Sequence, residues 1–89
     1  MLSLRDFIDM CDLTEEEVTA IAEKEKLPAI IAAQIGCALL RTERGVEYIR
    51  DVLKNRAEQA VDRGDMETAA LRLRTYEEFR TRCPQAIRD

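Results

Sequence analysis

Between Leu27 and Leu40 the chain reads LPAIIAAQIGCALL, fourteen positions with one polar side chain, Gln34, although charged residues make up 36% of all 89. A helix begun at Pro28, where the missing N–H costs nothing, is apolar on every face from Ala29 onward. That pattern predicts an element covered all round, with Ile31, Ile35 and Leu39 inaccessible and the Gln34 amide hydrogen-bonded in the interior. Ala29, Ala32, Ala33 and Gly36 let neighbouring helices come close, and Ile30 and Leu40 fill the space beside them. The run is too short to cross a bilayer, which takes about 20 helical residues. The N-terminus lacks the basic-then-apolar order of a signal peptide, so a soluble, cytoplasmic protein without membrane contact is expected.

The segments around this run are amphipathic. In SLRDFIDMC, Ser3 can cap a short helix that sets Leu4, Phe7, Ile8 and Cys11 on one face. Thr14 and Glu17 form a capping box, Leu13 and Val18 the accompanying staple, and Glu15 to Glu17 suit the positive end of a second helix, which stops before Pro28. Thr42 caps a fourth helix whose stripe is Val46, Ile49, Leu53, Ala57 and Ala60, widened by Val52 and Val61. Arg63-Gly64-Asp65 breaks it. Gly64 suits a left-handed closing residue and Asp65 a new cap, so the tripeptide is read as a turn and not as an adhesion motif. A fifth helix then presents Met66, Ala69, Ala70, Leu73, Tyr76, Phe79 and Cys83, ending at Pro84.

Ala, Leu, Glu and Arg dominate, and β-branched residues are too clustered for several strands, so the fold class is all-α. The expectation is one domain, 1–89. Short helices and the buried apolar helix occupy 1–41, and they pack on a long antiparallel hairpin over 42–84.

Catalytic signatures are missing. No phosphate-binding glycine loop, nucleophile elbow or metalloprotease motif occurs, and the chain has no histidine, the commonest general base and metal ligand. Acid pairs such as Glu43 with Glu47 and Glu58 with Asp62 fit solvated helix faces. Cys11, Cys37 and Cys83 lack C-x-x-C spacing and are expected as three reduced thiols, the first two in the core. No enzyme, cofactor or metal site is therefore expected. The arginines of the last two helices share them with Glu47, Asp51, Glu58, Asp62, Glu67, Glu77 and Glu78, and the net charge is −4, which disfavours nucleic acid.

Two stretches resemble known motifs. LTEEEVTAIAEKEKLPAIIAAQI resembles a helix-turn-helix, but its second helix carries only Gln34 where base-reading residues belong. AEQAVDRGDMETAALRLRTYEEF, about a quarter of the chain, is similar to the helical hairpins of tetratricopeptide repeats and of the UVR motif, both of which mediate protein contacts. It departs from the UVR pattern in register, since Ala69 and Ala70 run straight into Leu71, Arg72 and Leu73.

A non-catalytic protein–protein interaction module, a small adaptor or regulatory subunit, is the expected function. A nucleic-acid-binding regulator with a degenerate helix-turn-helix is the alternative. The candidate interface is Tyr48, Val52, Leu71 and Phe79, apolar residues beyond the hairpin's central seam, available to a homodimer or another protein. Arg80 falls inside the apolar stripe of the last helix and is expected to pair across the hairpin with Glu47 or Asp51.

Overall fold

The computed structural model describes residues 13–83; the helix expected over Ser3–Cys11 and the segment after Cys83 lie outside the described residues. Four helices follow one another: α1 (Glu15–Glu25), α2 (Ala29–Leu39), α3 (Glu43–Asp62) and α4 (Met66–Arg82). The described residues contain no strand, and the fold is a small all-α bundle with a C-terminal hairpin. Among them no helix is long and apolar enough to cross a membrane.

Three of the four helices start on a capping side chain, whereas α2 starts at Ala29 after Pro28, which offers none. Thr14 Oγ1 accepts from the Glu17 N–H at 3.2 Å, while Glu17 Oε1 accepts from the Thr14 N–H at 3.1 Å, completing the capping box. Thr42 Oγ1 accepts from Gly45 N–H at 2.9 Å, and Asp65 Oδ1 accepts from Thr68 N–H at 3.2 Å. The Asp65 carboxyl is held below its usual value by these Thr68 hydrogen bonds, with Arg63 and Arg72 adding to the effect. Lys26 closes α1 in the left-handed conformation, φ 57°, and Gly64 closes the hairpin turn at φ 77°.

Leu13, Val18, Ile21, Ala32, Ala33, Val46, Ile49, Val52, Leu53 and Phe79 make the core. It lies where α1 and α2 cross α3, and α4 packs chiefly along α3. Alanines seal the hairpin: Ala57, Ala60 and Ala69 are buried between its two helices.

The apolar helix α2 does not behave as its composition suggests. Ala32, Ala33 and Gly36 are buried, but Ile31 and Ile35 keep 38% and 36% of their surface in water, Leu39 is half-buried and Gln34 is exposed. Among the described helices, α2 packs chiefly against α1 and α3. Its small residues form the contact face, because they allow the backbone to approach, and its large ones are left outward. A Cβ on Gly36 would stand 3.0 Å from Leu13 Cδ1. The thiols also differ from expectation: Cys83 remains a thiol, whereas Cys37 is disulfide-bonded to a partner outside the described residues.

Candidate interaction surface

Of the four residues singled out as an interface, two are interior. Val52 and Phe79 are buried in the chain's own core. For Val52 the cause is α1, which lies along the flank of α3 that carries Tyr48, Val52 and Arg56 at four-residue spacing. Arg56 Nη1 donates to Glu23 Oε1 at 2.7 Å, and the half-buried Tyr48 hydroxyl donates to the Glu25 carboxylate. Burial first, then the Glu25 hydrogen bond and charge, push the Tyr48 hydroxyl up to about 12. Leu71 alone is well exposed, at 63%.

The Arg80 pairing is absent. Among the described residues Arg80 makes no ion pair with Glu47 or Asp51; Asp51 is taken by its neighbour Arg50 at 3.0 Å. The Arg80 guanidinium lies 5.5 Å from the Tyr76 ring centroid, with a buried Nε that has no hydrogen-bond partner. Cross-chain pairing falls instead to Arg82, whose Nη2 donates to Glu17 Oε1 at 2.6 Å. This contact joins the last turn of α4 to the first turn of α1, near the buried Phe79. The capping box marks Glu17 in the sequence, but nothing local marks a partner 65 positions away.

Charged side chains also line a cleft between α1 and the hairpin. Arg56, Arg63, Arg72 and Lys24 share it with Glu23, Glu58 and Asp62. Arg72 Nη1 donates to the Arg56 carbonyl at 3.2 Å, and burial, with Arg56 and Arg63 nearby, lowers its pKa. Signs alternate too closely for a phosphate surface. Among the described residues no group of three or more His, Cys, Asp and Glu is placed to hold a metal ion.

The clearest unsatisfied surface is apolar. Along one edge of the hairpin, the buried Ala57 and Ala69 floor a groove of about 660 Å3 lined by the exposed Ala70, Val61, Met66 and Leu73, with Glu58 and Asp62 also lining it. Val61, Met66 and Leu73 are 51%, 62% and 51% exposed. None of the core helices reaches this edge, because α1 and α2 both pack on the other end and flank of α3. Three adjoining large apolar side chains in water are the kind of patch that marks a contact site. No protein-family model, curated protein or solved structure matches the chain.

Proposed function

We propose that this chain is a non-catalytic protein–protein interaction module, a small adaptor or regulatory subunit, and that the edge groove of the hairpin is where its partner docks. The observation that carries the reading is the row Val61, Met66 and Leu73, each more than half exposed above a floor of alanines. Small floor and large walls suit an amphipathic helix laid between α3 and α4, the helix-in-groove mode of recognition. The rim acids Glu58 and Asp62 favour a helix with Lys or Arg beside its apolar residues, and they oppose a second copy that would bring the same acids to the same place. Cytoplasmic residence belongs to this proposal and requires the Cys37 disulfide to persist in a reducing compartment. The nucleic-acid alternative draws little support from α2, whose outward residues Ile31, Gln34, Ile35 and Ala38 include no cation.

The test compares proteins captured from a lysate by the immobilised full chain with those captured by Met66→Glu and Leu73→Glu. Both positions are exposed, so the variants keep the wild-type circular dichroism. A polypeptide held by the wild type and lost with both variants, then confirmed by direct titration, supports the reading. An identical captured set refutes it. A mobility shift of mixed DNA at low salt would favour the alternative.

A further inference from the structure

The charged cleft between α1 and the hairpin holds cations that its carboxylates leave unpaired. Arg72 stands half-buried on its wall, and its Nη1 donates to the Arg56 carbonyl at 3.2 Å, which helps to hold the guanidinium in place. A guanidinium has five N–H donors, so most of the fork is left over. Among the described residues no carboxylate lies within ion-pair distance of Arg72 or of the exposed Arg63, which lines the same cleft. Burial opposes the Arg72 charge, and Arg56 and Arg63 oppose it further. The two acids that favour it, Glu23 and Asp65, are engaged elsewhere: Glu23 Oε1 takes Arg56 at 2.7 Å, and Asp65 Oδ1 caps α4 through the Thr68 N–H. Glu58 and Asp62 also line the cleft, but the charges that act on Arg72 are those four. Alternating signs exclude an extended polyanion and leave room for a single anionic group.

A second hollow of about 360 Å3 shares Arg56 and Arg72 with the cleft and adds Leu53, Leu71 and Thr75 to the lining. Leu71 is 63% exposed there and belongs neither to the core nor to the edge groove. From these observations the geometry points to Arg72, with Arg63, as the seat of one carboxylate group borne on an apolar body that lies over Leu71. A carboxylate fits because its two oxygens can accept two parallel N–H groups of the planar fork. Glu15 and Glu16 also line the hollow and repel a carboxylate, so the apolar end lies there and the charged end at the cleft. Such a group occurs at the end of a peptide whose last residue is apolar and on a free aliphatic acid. The site stands apart from the edge groove, since Val61, Met66 and Leu73 line neither the cleft nor the hollow.

Nuclear magnetic resonance titration of the isotope-labelled full chain at constant ionic strength tests this, with three probes: an N-acetylated tripeptide ending in leucine, its C-terminal amide, and hexanoate. The two carboxylates should move the side-chain signals of Arg72, Arg63 and Leu71 together and saturate with a Kd of about 1 mM or tighter. The amide should bind at least about tenfold more weakly, because the charge-assisted pair of hydrogen bonds is lost. A tripeptide tighter than hexanoate by about tenfold or more assigns the carboxylate to a peptide end, and a smaller difference assigns it to a free acid. Arg72→Lys keeps the charge but loses the fork, and should weaken binding about tenfold. Arg63→Gln changes an exposed side chain, keeps the wild-type circular dichroism and should weaken binding up to about fivefold. No saturable shift at these residues up to about 10 mM overturns the proposal, as does an amide that binds equally or binding indifferent to both arginine variants. Leu73→Glu should leave the titration unchanged; binding lost with that variant would move the carboxylate to the edge groove and overturn the assignment to Arg72.

Discussion

Glu17 ties the first turn of α1 to the last turn of α4 through Arg82. It has no solvent exposure, and one oxygen, Oε1, accepts from both the Thr14 N–H and the Arg82 guanidinium, while Oε2 has no hydrogen-bond partner. Glu17→Gln keeps the volume and an acceptor for Thr14 but removes the charge beside Arg82. Removing one member of a fully buried pair costs about 3–5 kcal/mol. The Arg82 side chain retains 26% of its exposure and can turn outward, which puts the cost at the lower end, about 3 kcal/mol. A chain of 89 residues has roughly 4–13 kcal/mol of stability in all, so the loss is a large fraction. At a urea m-value of about 1.5 kcal/mol/M the unfolding midpoint falls by about 2 M. Arg82→Gln and the double variant complete a cycle, in which the double loss should be smaller than the sum by at least about 1 kcal/mol. A midpoint shift under about 0.5 M for Glu17→Gln, or strict additivity, would refute the assignment of Glu17 and Arg82 as the closing contact.

The remaining expectations concern the core, a corner and a phenol. Ile21→Ala should cost about 2–5 kcal/mol and Ile35→Ala about 1 kcal/mol or less; equal losses in thermal melts would put α2 back at the centre of the core. Gly45→Ala should cost about 3 kcal/mol or more, because its Cβ would stand 1.9 Å from the Leu39 carbonyl oxygen, whereas Gly64→Asn, at an open left-handed position, should change the urea midpoint little. In a Tyr76→Phe chain, ultraviolet titration should place the Tyr48 phenol at about 12, and Glu25→Gln should lower it only part-way because burial is the larger cause. Since the folded chain holds that proton more tightly, the stabilisation is complete below the ordinary tyrosine value of about 10 and is lost as pH rises from there through about 12; a phenol titrating at its ordinary value would sink this.

Local chemistry made the helices readable. The capping box at Thr14 and Glu17, the cap at Thr42 and the turn at Gly64 and Asp65 all act within a few residues, and each stands where sequence spacing puts it. Burial was less legible. An apolar-all-round helix has no preferred face by hydropathy, so only side-chain size indicated that Ala32, Ala33 and Gly36 would be inside and Ile31 and Ile35 outside. Val52 lies beside the main stripe of its helix, and a stripe drawn for a hairpin alone omits the flank that α1 covers, whereas Phe79 belongs to the stripe of the last helix and is buried with it. Position in the stripe suggests that Arg80 reaches across to Glu47 or Asp51, but it does not fix which way a long side chain turns, and the guanidinium lies over Tyr76 instead.

The corner between α2 and α3 also bears on descent. With Thr42 bonded to the Gly45 N–H and the Leu39 carbonyl occupying the place of any side chain at 45, that position is closed to the other nineteen residue types unless the two helices separate. Gly64 carries no such restriction, since nothing lies within 4 Å and asparagine tolerates its backbone angle. Distant relatives that have drifted past overall similarity should therefore still share Thr-x-x-Gly directly after an uncharged helix, with freedom at the hairpin turn. That short signature, more than the composition of the long helices, is what selection on this fold should preserve.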